Sequence, residues 1–387
     1  MEHAERAPKP KVLIIDDEPG EQKPLMLELE KYVDAEIASP EEIELGQLEA
    51  ADLVLADYKL LNWPERDDAP IQDSPLPPIA RRPMDGFALI AVLRAHTSDF
   101  VRPKAFAMRT GHPQDVSRPL PPDRREHVVA RSYNLEWVFA KAGADGFSSV
   151  LQIVSLAHAV NKLPDKWPFE SPEETLEIVY DLLSFPKDEA WGPRAWKDVE
   201  ACHPPIHELS AGTHGLAFLR WILHRILPYP CFLWDAQRLA ARLRIPQESI
   251  RTALNDGGPL AKLLEPFRYR GVLADFASPR WWRSGIETFL WNFTAGSSFD
   301  TRTLHATLTE RTGLVIESGA YENPVICLNQ DLQFLPGLYE ARDAVRIQPD
   351  DWPPYAEEAW ATISSAREEP RLRALVISQD RELLEDT

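Results

Sequence analysis

The sequence predicts a doubly wound α/β domain at the amino-terminal end, followed by a mainly helical region with some strand. Three observations carry this. The runs Lys11-Val-Leu-Ile-Ile-Asp16-Asp17 and Ala51-Asp-Leu-Val-Leu-Ala56-Asp57 are short, apolar and stop on aspartate, as buried parallel strands do when they deliver carboxylates to the carboxyl edge of a sheet. Strand-like and helix-like segments alternate as far as about residue 163, which is the order of a parallel sheet with crossover helices. Beyond the proline-rich stretch 164–172 the pattern turns helical. A chain of 387 residues is expected to divide into two or three domains.

The first domain reads in order as follows. Residues 11–16 and 52–57 are strands. Residues 20–33 form a helix, with Leu25, Leu27, Leu29 and Tyr32 as its apolar positions. Residues 61–83 hold six prolines without periodicity and read as a long irregular insertion. An amphipathic helix follows over 84–96, where Phe87, Leu89, Ile90 and Leu93 fall near helical spacing. Residues 104–110 form a strand ending on the hydroxyl of Thr110, and a second insertion starts at Gly111. The pattern then predicts a helix over 124–142 stopped by Gly143, a fifth strand over 146–150 and a last helix over 151–163.

These residues resemble the receiver domain of bacterial two-component response regulators, a CheY-like five-stranded parallel fold. The resemblance is carried by Ile15-Asp16-Asp17-Glu18-Pro19, Ala56-Asp57-Tyr58-Lys59-Leu60, Met84-Asp85-Gly86, Thr110-Gly111 and Ala142-Gly143-Ala144-Asp145-Gly146-Phe147, five motifs in the family's order. It covers residues 10–163, well under half of the chain. It implies that Asp57 accepts a phosphoryl group from a histidine kinase. It also implies that Asp16, Asp17, Asp57 and the Lys59 backbone carbonyl bind Mg²⁺, and that Thr110 contacts the phosphoryl oxygens. The chemistry is coherent, because a carboxylate nucleophile needs the incoming phosphoryl charge neutralised, and gathered acids bring in the metal that does so. One departure is expected. The family's lysine at the end of the fifth strand aligns with Val150 and Leu151, so it is missing, and Lys141 is read as a cation complementing a helix carboxyl end.

The remaining sequence divides into a linker over 164–172, a helical region over 173–290 and a carboxyl-terminal α+β region over 291–387. Helices over 235–243 and 247–255, a third near 260–264, and two short strands around a turn in 267–283 follow the order of a winged helix, a module spanning about 212–286. From 215 to 285 there are eleven basic against five acidic residues in a chain of net charge −19. Arg251, Arg268, Arg270, Arg280 and Arg283 are its candidate nucleic-acid contacts, and Trp281 and Trp282 would pack the wing or stack on a partner. DNA is nevertheless the less favoured partner, since the overall charge opposes it. A protein partner of the output region is preferred.

Composition adds bounds. With 44% hydrophobic residues the chain can build real cores. Three cysteines imply no disulfide framework and fit a reducing compartment. No apolar run reaches membrane-spanning length and the first residues lack a signal-peptide core, so the expected location is cytoplasmic, with no membrane partner. No phosphate-binding glycine loop or nucleophile elbow occurs, and no enzyme is expected. The leading expectation is a phosphoacceptor controlling an output region. A phosphate sink or interaction receiver in a kinase-linked, Detocs-like antiphage system is the alternative motivated by the missing lysine. A winged-helix transcriptional regulator is the other.

Overall fold

A computed structural model describes residues 9–62, 83, 85–97, 100–111, 116, 126–141, 149–212, 214–255, 257–313 and 321–385. Most of the two expected insertions, Met84 and the 142–147 motif lie outside these residues. The chain forms two compact units.

Unit 1 comprises Met1–Leu182, Pro205–His224 and Gly271–Ala277. Its five strands are β1 (Lys11–Ile15), β2 (Asp34–Ala38), β3 (Leu53–Asp57), β4 (Ala105–Thr110) and β5 (Val138–Ala140), all parallel in the order β2-β1-β3-β4-β5. This is a doubly wound order that reverses between β1 and β3, and such a crevice at the strands' carboxyl ends is where ligands bind. Every residue of β3 is buried, because helices cover both faces of the sheet. On one side α1 (Lys23–Leu29) touches α5 (Ser149–Asn161), and α2 (Leu45–Ala50) touches α3 (Gly86–Thr97). The short helix α4 (Glu126–Ser132) precedes β5. Leu13, Ile15, Val54, Ile90, Phe106 and Val138 lie in one continuous core.

Three expectations change here. The helix expected over 20–33 is a 3-10 turn at Pro19–Gln22 followed by the shorter α1, and the chain then enters β2. The helix expected over 124–142 stops at Ser132; Asn134 adopts the left-handed conformation (φ 58°), and the strand β5 begins at Val138. Residues 149–150, expected in a fifth strand, begin α5.

Two segments distant in sequence complete unit 1. Within Pro205–His224, Arg220 Nη2 pairs with Glu136 Oε1 at 2.6 Å, Arg220 Nη1 donates to Asn134 Oδ1 at 2.5 Å, and His224 Nε2 lies 2.7 Å from the Glu136 carbonyl. The Glu136 residue is fully buried and also accepts the Phe106 backbone N–H. Burial holds His224 down at about 4, so its imidazole is neutral near pH 7 and donates to that carbonyl. From Gly271–Ala277, Phe276 meets Trp137 edge to face at 5.0 Å, and its carbonyl accepts from Gln152 Nε2 at 3.1 Å. The expected linker over 164–172 thus falls inside unit 1.

Unit 2 comprises Leu183–Pro204, Arg225–Arg270 and Ser278–Thr387. The expected three helices are present as Ala236–Leu243, Gln247–Asn255 and Pro259–Leu264. Asp235 caps the first, accepting the Arg238 N–H at 2.8 Å, and Arg244 ends it with φ 57°. The expected hairpin is reduced to a bridge between Arg268 and Trp281 and the bond from Tyr269 N–H to the Arg280 carbonyl at 2.8 Å. Residues 272–276 are turns, and Trp281–Trp282 pairs instead with Leu233–Trp234, ahead of the helices. Trp281 and Trp282 are core residues, 5% and 2% exposed, rather than a stacking surface. Ala344–Ile347 and Ala359–Thr362 form an antiparallel pair over a separate cluster with Ala366 and Leu372.

Candidate functional site

The strand register places Asp57 and Thr110 at adjoining strand ends. Asp57 pairs with Arg109 across β3 and β4, and Thr110 pairs with Ala140 across β4 and β5. Asp16 and Asp17 follow β1 directly. Asp16, Asp17, Asp57, Lys59 and Thr110 therefore line one cavity of about 260 Å³ at the carboxyl edge, together with Glu18, Asn62 and Lys141. All five residues expected at the phosphoryl site are brought together.

Each carboxylate is held differently. Asp16 is buried; its Oδ1 accepts the Glu18 N–H at 2.8 Å and its Oδ2 accepts Gln22 Nε2 at 2.7 Å. Asp17 accepts the Asn62 N–H. Burial raises the Asp17 carboxyl above its ordinary range, and the adjacent Asp16 charge adds to this. Asp57 is 7% exposed, and its Oδ2 accepts the Lys59 N–H at 3.0 Å. Its carboxyl is raised as well, first by burial, with the Asp16 charge adding and Lys141 partly offsetting. A poorly solvated carboxylate is the reactive kind, since less water must be stripped from it before attack.

The lysine expected to be missing is present. Lys141 follows β5, its N–H donates to the Thr110 carbonyl at 2.7 Å, and its Nζ stands 2.6 Å from Asp57 Oδ1 and 3.6 Å from Asp16 Oδ2. The reading of Lys141 as a helix-end cation is overturned, and so is the placement of Val150 and Leu151 at the strand end. A three-residue β5 behind a two-turn helix leaves too short a period to separate strand from helix in the sequence. Asn134, a residue that readily adopts φ > 0, was the signal available.

Two further roles went unread in the sequence, although Gly86 stands in one of the quoted motifs. Gln22 bridges Asp16 to Arg109, whose Nη1 donates to Gln22 Oε1 at 2.5 Å. Gly86 lies against the carboxyl end of β3: its N–H donates to the Tyr58 carbonyl at 2.9 Å, and a Cβ there would lie 2.2 Å from the Asp57 carbonyl oxygen. Only glycine fits that approach.

The oxygen donors suit a hard cation such as Mg²⁺ by chemistry. They are not drawn into a ready-made cluster: among the described residues no three His, Cys, Asp or Glu side chains lie close enough together to hold a metal ion. The Lys141 ammonium instead lies within ion-pair distance of both Asp16 and Asp57.

The five arginines expected at a nucleic-acid interface are dispersed in role. Arg251 is exposed and paired with Glu248 at 3.3 Å, and Arg268 and Arg270 share Glu265 at 3.9 and 2.7 Å. Arg280 is only 13% exposed, paired with Asp235 at 3.0 Å and donating to the Leu227 carbonyl at 3.2 Å; Arg283 pairs with Asp198 at 2.6 Å. The last two are structural, since a guanidinium committed to a half-buried acid has little left for a phosphate.

No protein-family model matches the chain, and no curated protein matches it. Similar solved structures include RcsB, as two dimers bound to two parallel DNAs, at 12% identity over 56% of this chain and 98% of that one, with a TM-score of 0.23. They also include the response regulator ChrA of a heme-sensing two-component system, at 15% identity over 66% of this chain and 90% of that one, with a TM-score of 0.23. At that level neither likeness bears on function. Among the described residues no helix is long and apolar enough to cross a membrane.

Proposed function

We propose that the chain is a two-component phosphoacceptor, with Asp57 receiving a phosphoryl group from a histidine kinase. One observation carries this reading: the buried Asp57 carboxylate opens on the same cavity as Asp16, Asp17, Thr110 and an ammonium 2.6 Å away. An Asp57 oxygen attacks phosphorus, the P–N bond to the donor imidazole breaks, and the imidazole leaves neutral after taking up a proton from solvent. Lys141 offsets charge on the new acyl phosphate, and Thr110 offers its hydroxyl to a phosphoryl oxygen. Mg²⁺, held by Asp16, Asp17 and the Lys59 carbonyl, would supply the remaining neutralisation of the phosphoryl oxygens. The added charge changes what Lys141 and Thr110 bond to, and β5 passes that change to the segments packed on it. This is one modification of the chain and not turnover of a substrate, so the protein is read as a signalling component. A protein partner of the output region remains preferred to DNA, because Arg280 and Arg283 are spent internally.

The test is labelling with a small-molecule phosphodonor such as acetyl phosphate in magnesium buffer. Wild type should take up label that hydroxylamine and base release, as they release an acyl phosphate, and Asp57→Ala should not. Absence of label on both removes the reading. The phosphate-sink alternative has lost its motive, since the lysine whose absence suggested it lies beside Asp57.

A further inference from the structure

Unit 2 contains a cavity of about 430 Å³, well away in chemistry from the acidic crevice. Arg238, Arg242, Arg244, Phe299, Phe334 and Glu357 are among the residues that line it. That volume is within the usual range for small-molecule sites. Arg238 and Arg242 lie four residues apart on the helix Ala236–Leu243 and so share one face, and Arg244 closes its carboxyl end in the left-handed conformation.

The guanidiniums are held in place. Arg238 is 7% exposed, its guanidinium carbon 4.5 Å from the Phe334 ring centroid, and its Nη1 donates to Asp235 at 2.6 Å. Its buried Nε–H has no acceptor among the described residues. Arg242 lies 4.7 Å from the Phe299 centroid and donates to the Ser298 carbonyl and hydroxyl at 3.1 and 3.2 Å. Arg244 donates to the Phe299 carbonyl at 2.9 Å. Arg242 and Arg244 thus bond to neutral oxygens. Of the two acids on the wall, Glu358 is 3.5 Å from Arg346, and Glu357 accepts Trp234 Nε1 at 2.7 Å. Burial raises the Glu357 carboxyl, which suits it to share a proton with a heterocyclic nitrogen.

We propose that this cavity binds a small anion carrying a planar heteroaromatic ring, of the class of a 5′-mononucleotide. Arg242 and Arg244, held by aromatic and carbonyl contacts and in no ion pair with a carboxylate among the described residues, take the phosphate through charge-assisted hydrogen bonds. The ring stacks on the guanidinium and phenyl faces, and Glu357 bonds its edge. The proposal is independent of Asp57 and its chemistry.

The test is calorimetric titration of the full chain with AMP, GMP, CMP and UMP, and in parallel with adenosine and inorganic phosphate. At least one mononucleotide should bind with a dissociation constant below about 1 mM and at least about tenfold tighter than either fragment. Arg242→Ala and Phe299→Ala should each weaken it about tenfold or more, with melting temperatures checked against wild type, and Arg242→Lys should recover part of the loss. Phe299 is 71% exposed, so its variant keeps the test decisive if Arg242→Ala fails to fold. No binding by any of the four mononucleotides at millimolar concentration overturns the proposal. So does binding that Phe299→Ala, or a folded Arg242→Ala, leaves unchanged, or binding no tighter than that of inorganic phosphate.

Discussion

Arg220 closes on Glu136 at 2.6 Å, tying a helix in the middle of the chain to the residue that leads into the last strand of the sheet. Glu136 has no exposed surface, so its charge is tolerated only because Arg220 and the Phe106 N–H answer it. Arg220→Ala is expected to cost about 3–5 kcal/mol, the usual penalty for stranding a buried carboxylate. Adding Glu136→Gln should recover much of that loss, and urea unfolding of both variants checks it.

Asp57 and Asp17 both have carboxyls raised in the fold, chiefly by burial. A raised carboxyl favours the folded state while protonated, and that advantage is lost as pH rises from the ordinary value of 3.8 through the raised one. Asp57→Asn is therefore expected to melt higher than wild type at neutral pH, on the order of 2–4 °C. The difference should vanish in acid below the ordinary carboxylate value. Thermal melts at pH 7 and in acid decide it; an equal gain at both would show that ionisation of Asp57 is not the cause.

Lys141→Ala removes the ammonium beside Asp57. Lys141 lowers the Asp57 carboxyl, so its loss is expected to move that carboxyl further up and shift the pH dependence of phosphodonor labelling to higher pH. A labelling profile unchanged in position would contradict this.

Gly86→Ala forces a Cβ against the Asp57 carbonyl. The backbone must shift, at a cost of about 1–3 kcal/mol, and labelling of Asp57 should fall with it. Gly20→Ala is the control, because nothing lies within 4 Å of a Cβ there.

Arg280 and Arg251 were candidates for the same role, and their environments predict opposite behaviour. Arg280→Ala leaves Asp235 with Arg238 as its one ion-pair partner among the described residues and removes a charged hydrogen bond from the interior, which should destabilise the protein by about 1.5–3 kcal/mol. Arg251→Ala, at an exposed pair, should stay within about 0.5 kcal/mol. Equal and small effects on stability would restore Arg280 as a surface contact.

The acidic edge was readable because chemistry and periodicity agree there: apolar runs ended on Asp16, Asp17 and Asp57, and a parallel sheet aligns such ends. Thr110 was found by the same rule. Lys141 was not, because Val138–Ala140 is too short a strand to show a period of two, and the apolar residues before it imitate a helix. Strand β2 was missed because Asp34-Ala-Glu-Ile-Ala is a half-exposed edge that lacks the β-branched run of the central strands. The Gln22–Arg109 bridge joins residues far apart in sequence and of ordinary surface type. The return of Pro205–His224 and Gly271–Ala277 to unit 1 is a matter of tertiary packing, which no local pattern encodes.

That interleaving has a consequence for how such a chain can be recombined. Modules strung like beads can be swapped by a splice at the proline-rich stretch near residue 164, but here a splice at that point would send away the residues that answer Glu136 and cover Trp137. Exchange between genes would have to carry three pieces at once, so the two units of this design are expected to be inherited together.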